Sequence, residues 1–383
     1  MDQDRILYRG EAFTLTGSRL SQDDSHWAEV EKDGRVRTMK NGRYSEWRIV
    51  PETEYGPRYH SGFEVLNKAY CLALNEAGAL INEEGTFRTG ANWPTVWTRD
   101  IAYATHLGLG MWNVQACMKS LQARVRKGEV EQDTGTGGSW PISSDRVVWS
   151  VAAWEAYCLT GDGDWLLQAS RVLEKTCLKD EKVLTATGGL MRGESSFLDW
   201  REQSYPAWMT SADIGDSSSL STMILHAAAR KMLARMFREL GMEGKAREWD
   251  GKGEALSGVI EKFFRIPGSD LYGQYLYGRG YPVLSEKVDS LGNMLCVLLG
   301  HAHGAHAARM VAALPHCVYG IPCFHPQMPE DVAPYHNRAT WPFLEGYYAQ
   351  AAAATGNECG LALALACMVR AALLCGTNKE NLL

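Results

Sequence analysis

Leu159-Thr160-Gly161-Asp162-Gly163-Asp164 separates two apolar, helically spaced segments, 146–160 and 163–178. A glycine just past the last apolar residue ends a helix, and the Asx residue after it restarts one. So short a link leaves two long helices no arrangement but side by side and antiparallel. Links of the same kind recur at Leu240-Gly241-Met242 and Ala354-Thr355-Gly356-Asn357.

Working outward, helical spacing of apolar and alanine residues predicts helices at 63–83, 99–109, 113–127, 146–160, 163–178, 216–240, 243–264, 287–300, 303–314, 339–355 and 358–375. The remaining connections, 84–98, 128–145, 179–215, 265–286 and 315–338, are long and rich in aromatics. Long loops in a compact body usually carry function. Alternating short and long connections predict an all-α toroid of helical hairpins, with its cleft built from the long loops at one end. Eleven helices is an odd number for hairpins, and the chain stops soon after the eleventh, so the body over 59–383 is expected to lack its last helix. Residues 1–58 read differently. Short apolar runs at Phe13–Leu15, Val36–Met39 and Trp47–Val50 alternate with Asp33-Gly34 and Asn41-Gly42, which are hairpin signals. They predict a β-rich N-terminal arm.

The chain of 383 residues is 45% hydrophobic and 22% charged, the balance of a folded globular protein. A net charge of −6 offers no basic footprint for nucleic acid or an anionic membrane surface. Apolar stretches such as Met294–Gly300 and Leu361–Val369 fall short of the ~20 residues of a membrane span. The start, MDQDRILYRG, lacks the apolar core of a signal peptide. Ten cysteines without a CxxC pair, mostly inside apolar helical patterns, read as reduced structural residues and lean towards the cytoplasm. A leader already removed would leave a periplasmic or secreted protein equally open.

Thirteen tryptophans and 16 tyrosines stand beside only nine phenylalanines, and many fall in the long loops. The first loop holds Trp97-Thr98-Arg99-Asp100, and the second holds Gly137-Gly138-Ser139-Trp140 followed by Asp145-Arg146. The third runs Glu194-Ser195-Ser196-Phe197-Leu198-Asp199-Trp200-Arg201. The fourth holds Tyr275, Tyr277, Arg279 and Tyr281. The fifth runs Tyr335-His336-Asn337-Arg338-Ala339-Thr340-Trp341-Pro342, and the tail holds Asn378-Lys379-Glu380-Asn381. Sugars ask for this mixture, because their C–H faces pack on rings and their hydroxyls bond to arginine and carboxylate. Glycoside hydrolysis further needs two carboxyl groups, one of them an acid with a raised pKa. Asp199, between Phe197 and Trp200, is best placed for that desolvation.

Trp97-Thr98-Arg99-Asp100 before a helix resembles glucoamylase-like enzymes, the six-hairpin glycosidases with an (α/α)6 barrel. The segment from Glu194 to Arg201 resembles the acid-bearing stretch of trehalases and processing α-glucosidases, and the Ser-x-x-Asp stretch of glycogen-debranching glucosidases. The segment from Tyr335 to Pro342 is similar to Tyr-His-Asn-Gly-x-x-Trp-Pro of the debranching group, with Arg338 where that group has glycine. The resemblance implies an inverting hydrolase of an α-linked glycoside, an α-glucoside first. It implies Asp199 as general acid and Glu380 as general base, without cofactor or metal. It also implies that Arg99 and Asp100 clamp the non-reducing sugar between walls formed by Trp97, Trp140 and Trp341. Asp145, Arg146, Glu194, Trp200, Arg201, Tyr335, His336 and Arg338 complete the expected substrate contacts. The partner expected is an oligosaccharide or glycoside, with no nucleic acid or membrane and with the oligomeric state open.

Plainer readings stand beside these. Arg99-Asp100 at a helix start suits the helix dipole. Asp199 has Arg192 and Arg201 near it in sequence as ion-pair partners. Glu380 has the setting of a solvated tail residue, and Glu345, Glu194 and Glu286 are rival bases. Asp145-Arg146 reads equally as a cap with an ion pair, and His336 as a packed loop histidine. His301 and His303 are two apart and face different ways on a helix, so they do not form a metal site with His306. Cys317, Cys323 and His325 lack a fourth zinc ligand nearby. Gly135-Thr136-Gly137-Gly138 lacks the lysine of a phosphate loop, and no oxygen-rich loop marks calcium. The rivals to hydrolysis are a non-catalytic glycan-binding toroid and a sugar epimerase or lyase, in which His336 would be the base.

Overall fold

The computed structural model describes residues 5–51, 56–136, 139–278 and 281–383; Gly137, Gly138 and Arg279, named above, lie outside them. The chain opens with a six-stranded antiparallel meander, β1 (Ile6–Arg9), β2 (Thr14–Thr16), β3 (Arg19–Asp23), β4 (His26–Val30), β5 (Arg35–Lys40) and β6 (Arg43–Arg48). Lys40 pairs with Arg43, so Asn41-Gly42 is a two-residue turn. Both residues are left-handed, at φ 52° and 72°, which matches the twist of the strands it joins. Leu15, Leu20, Ala28 and Val36 face inward onto Leu66, Ala366 and Leu373. The sheet is therefore fastened to the helical body through its own apolar face.

The longer helices are α1 (Glu64–Ala79), α2 (Thr98–Ala104), α3 (Gly110–Ala123), α4 (Trp149–Thr160), α5 (Gly163–Leu184), α6 (Leu220–Glu239), α7 (Glu243–Phe263), α8 (Ser290–Leu298), α9 (Gly304–Ala313), α10 (Pro342–Thr355) and α11 (Glu358–Cys375). The tight links behave as read. Gly161 and Gly356 are left-handed at φ 64° and 70°, and the Asp162 carboxylate caps α5 through the Asp164 and Trp165 amides, each at 3.0 Å. α2 packs on α4, α4 on α6, α6 on α8 and α8 on α10. Tyr103 of α2 meets Phe343 and Tyr347 of α10, which closes that run of neighbours. The even-numbered helices are accordingly buried on several sides; α6 is buried almost continuously from Leu220 to Phe237. The helices between them pack against this inner set, as α3 does on α4 and α7 on α6.

Two departures from the sequence reading have physical causes. The helices expected at 99–109 and 113–127 are joined by a π-helical turn, Thr105–Leu109, with bends at Gly108 (φ 137°) and Asn113 (φ −148°). α5 continues to Leu184 through a polar run that reads as loop, because Asp180 is an inward-facing ion-pair partner. By length and composition α11 is apolar enough to cross a membrane, with mean hydropathy 1.8, so the apolar run is longer than Leu361–Val369 suggests. Half of it is buried, and it packs on α1, α10 and the sheet.

Candidate active site

The long connections meet. Asp133 in the second loop accepts the Thr98 amide at 3.0 Å, which fixes the start of α2 and turns Arg99 inward. Arg99 is buried and reaches two other loops: Nε donates to Asp145 at 2.6 Å and Nη1 to Asp199 at 2.6 Å. Asp145 also accepts from Ser196 at 2.6 Å and Gln132 at 2.9 Å, and Ser196 is bonded to the Tyr103 hydroxyl at 2.7 Å. Burial works to raise the Asp145 pKa, but the Arg99 charge and these hydrogen bonds outweigh it and hold the carboxyl below its usual range. Asp199 emerges from a bend in which Phe197 is left-handed at φ 74°, unusual for a bulky residue. Packing pays for that strain, since the Phe197 ring lies against His336, Trp341 and Phe343 at centroid distances of 4.8 to 4.9 Å.

Asp199 lines a cleft of about 620 Å³ with Trp97, Asp133, Thr136, Trp200, Arg201 and Glu202. Trp200 is exposed and meets Tyr335 edge-on at 6.0 Å. The Tyr335 hydroxyl donates to Glu380 at 2.8 Å. Glu380 is brought there because the tail pairs with the fifth loop, Thr340 with Leu382, through bonds of 2.8 and 2.9 Å. Burial, the Glu380 hydrogen bond and the charges of Glu380, Asp199 and Asp100 together raise the Tyr335 pKa. Tyr335 thus ties Glu380 to the ring that meets Trp200; among the described residues that line the cleft, neither Tyr335 nor Glu380 is found.

Other residues singled out above sit elsewhere. Arg146 is buried and bonded to Asp180 at 2.7 Å, and the Trp140 ring N–H donates to the same carboxylate at 2.9 Å. Among the described residues neither lines the cleft. Trp341 and His336 are buried behind Phe197 and stack on each other at 5.1 Å; burial pushes His336 down to about 4. Arg201 lines the cleft but spends its guanidinium on the Met209 and Ala207 carbonyls, at 2.7 and 3.3 Å. Arg338 is exposed. No three-ligand cluster suited to a metal occurs among the described residues.

Three carboxyl groups named from the sequence have surroundings that only the fold sets. Glu194 is buried, with Oε1 accepting from the Thr136 amide at 2.6 Å and from Ser143, and with Oε2 lacking a partner. Burial first, then the Asp199 charge, push it up to about 8 against those hydrogen bonds and Arg99. Gly135 is left-handed at φ 113°, and a Cβ there would collide with Glu194 and Ser143, so glycine lets the cleft wall close over this carboxyl. Asp100, half-buried, is pushed to about 7 by burial, with Asp133 and Asp199 adding and Arg99 opposing. Glu345 of α10 is buried, accepts the Ile321 amide at 2.7 Å, and is pushed by burial to about 8.

These shifts predict a pH dependence. In the unfolded chain these carboxyls lose their protons near pH 4 to 5, whereas the fold keeps them protonated to about pH 7 or 8. The folded state binds more protons in that window, so stability falls as pH rises through it and levels off above. Histidines of the unfolded chain still carry about half a proton each at pH 6.5, and the buried ones are neutral in both states only above roughly pH 7.5, where they no longer mask the trend. Melting temperature should drop between about pH 7.5 and 8.5, and Glu345→Gln should shrink the drop. Parallel melting profiles for variant and parent would refute it.

No protein-family model matches the chain, and no curated protein matches it. Solved structures do. The GH78 family rhamnosidase of Bacillus sp. GL1 superposes at a TM-score of 0.57 with 14% identity, covering 85% of this chain and 32% of that one. A rhamnosidase from Klebsiella oxytoca with rhamnose bound gives 0.55 with 13% identity, over 88% and 63%. A structure named sialidase gives 0.58 with 14% identity, over 79% and 28%. The chain thus spans about a third of the length of the Bacillus rhamnosidase and less of the sialidase. At this identity the likeness is one of fold, a helical body shared with glycosidases.

Proposed function

We propose that this chain is a glycoside hydrolase of the six-hairpin kind that cleaves an α-linked glycoside, an α-glucoside first, with inversion. The observation that carries the reading is the Asp199 carboxylate, held by buried Arg99 at 2.6 Å on the wall of a cleft it shares with Trp97 and Trp200. Asp199 would protonate the leaving oxygen. Glu380, held by Tyr335, would activate the attacking water, and an inverting pair needs roughly 6.5–9.5 Å between the carboxyls for that water. The rings would pack against sugar faces, and the Arg99 network would keep the acid in place without reorganisation. The closed run of α2, α4, α6, α8 and α10 supports the toroid.

The test is a panel of aryl α- and β-glycosides with NMR of the first anomer released. Rhamnosides belong in the panel because two of the fold's neighbours are named rhamnosidases. Turnover of the α-glucoside with the β-anomer first is expected. Turnover of other sugars alone would move the substrate, α-anomer first would overturn inversion, and binding without turnover across the panel would leave a glycan-binding module.

A further inference from the structure

Of 13 tryptophans, three are exposed among the described residues: Trp93 at 53%, Trp200 at 55% and Trp208 at 58%. The cleft accounts for two of them. Trp200 lines it, and Trp93 packs at 5.2 Å on Trp97, which lines it. Trp208 lies outside that lining but beside a second ring.

The backbone on both sides of Trp208 is tied to Arg201. Arg201 donates to the carbonyls on either side of it, Ala207 and Met209. Met209 is fully buried in a cluster with Tyr205, Ile214 and Tyr275. Pinning Met209 inward turns its neighbour Trp208 outward. The Trp208 ring meets the half-buried Tyr277 at 5.6 Å with the ring planes tilted by 59°. Thr210 and Ser211, just beyond Trp208, line the cleft, as does Arg201. Trp208 is thus two residues from the cleft lining along the chain, at most about 7 Å between Cα atoms.

We propose that Trp208 and Tyr277 are a second sugar-binding platform, which takes glucosyl units of an α-linked oligosaccharide beyond those held in the cleft. The inference rests on the glycosidase reading above and extends it to the substrate's length. Amphipathic rings suit the C–H face of a sugar, and a backbone already tied by Arg201 has less freedom to lose on binding.

The experiment is calorimetric titration of the full chain carrying Asp199→Asn with maltose, maltotetraose and maltohexaose. Affinity should rise about tenfold from the shortest to the longest. Adding Trp208→Ala should reduce that rise to about twofold, and Trp208→Phe, which keeps a ring, should retain most of it. An equal affinity for all three sugars, or a rise unchanged by Trp208→Ala, overturns the platform, and so does the failure of every member to bind. If aryl α-glucosides are still turned over by the unmodified chain, the hydrolase reading survives that failure. A Trp208-dependent rise without turnover of any glycoside would retain the platform and remove the hydrolase.

Discussion

Asp199→Asn is expected to lower hydrolysis of an alkyl α-glucoside by about a thousandfold, with affinity for saccharides held within a factor of about two. Asparagine keeps the size of the side chain and an oxygen for Arg99 Nη1, which now sits 2.6 Å from Oδ2. The backbone tie also survives, because Thr136 Oγ1 donates to the Asp199 carbonyl at 2.9 Å. What is lost is the ionisable group, both the charge that pairs with Arg99 and the proton it can carry to the leaving oxygen. An acid matters in proportion to how poor the leaving group is, so dinitrophenyl α-glucoside should lose far less than methyl α-glucoside. An equal loss across both would remove Asp199 from the acid's role. A second readout is independent of substrate. The Asp199 charge is the second-largest cause of the raised Glu194 pKa, so the variant should draw Glu194 back towards the ordinary carboxylate range. The fall in stability between about pH 7.5 and 8.5 should then be smaller than in the parent.

Sequence carried the helical hairpins because their signals are local. Gly161 and Gly356 stop helices through their own left-handed backbone, and Asp162 caps with its own side chain. Asn41-Gly42 set a hairpin register in the same way. The site was legible only in its residue types. Nothing in the third loop says that Asp199 pairs with Arg99, 100 positions away, rather than with Arg192 or Arg201 nearby. Trp140 and Arg146 have the composition of a cleft wall, yet both turn to Asp180 on α5. The proton held on Glu194 depends on a loop 58 residues earlier folding over it, which no spacing rule encodes. Trp208 went unnoticed because its exposure is set by Met209 being buried next to it, a tertiary fact.

Arg99→Met should cost stability as well as activity, on the order of 3–5 kcal/mol, as when one partner of a buried ion pair is removed. Arg99 is the one cation bonded to both Asp145 and Asp199 among the described residues, and its charge also reaches Glu194. Burial opposes the guanidinium's charge, but Asp145 and Asp199 outweigh it and raise its pKa well above the ordinary value. Without it, Asp145 keeps only Ser196 and Gln132 as hydrogen-bond donors while almost wholly buried. The carboxyls must then repel one another or take up protons, and either response disturbs the cleft wall. Arg99→Lys should recover part of the stability and little turnover, because an ammonium cannot span two carboxylates as a planar fork does. The double variant Arg99→Met/Asp145→Asn separates the two roles. Its buried carboxylate is neutralised, so melting temperature should return towards that of the parent, while hydrolysis stays lost because nothing aims Asp199. Arg99→Met melting like the parent would show that the ion pairs hold nothing together. Recovery of both stability and turnover in the double variant would show that Arg99 supports the fold without positioning the acid.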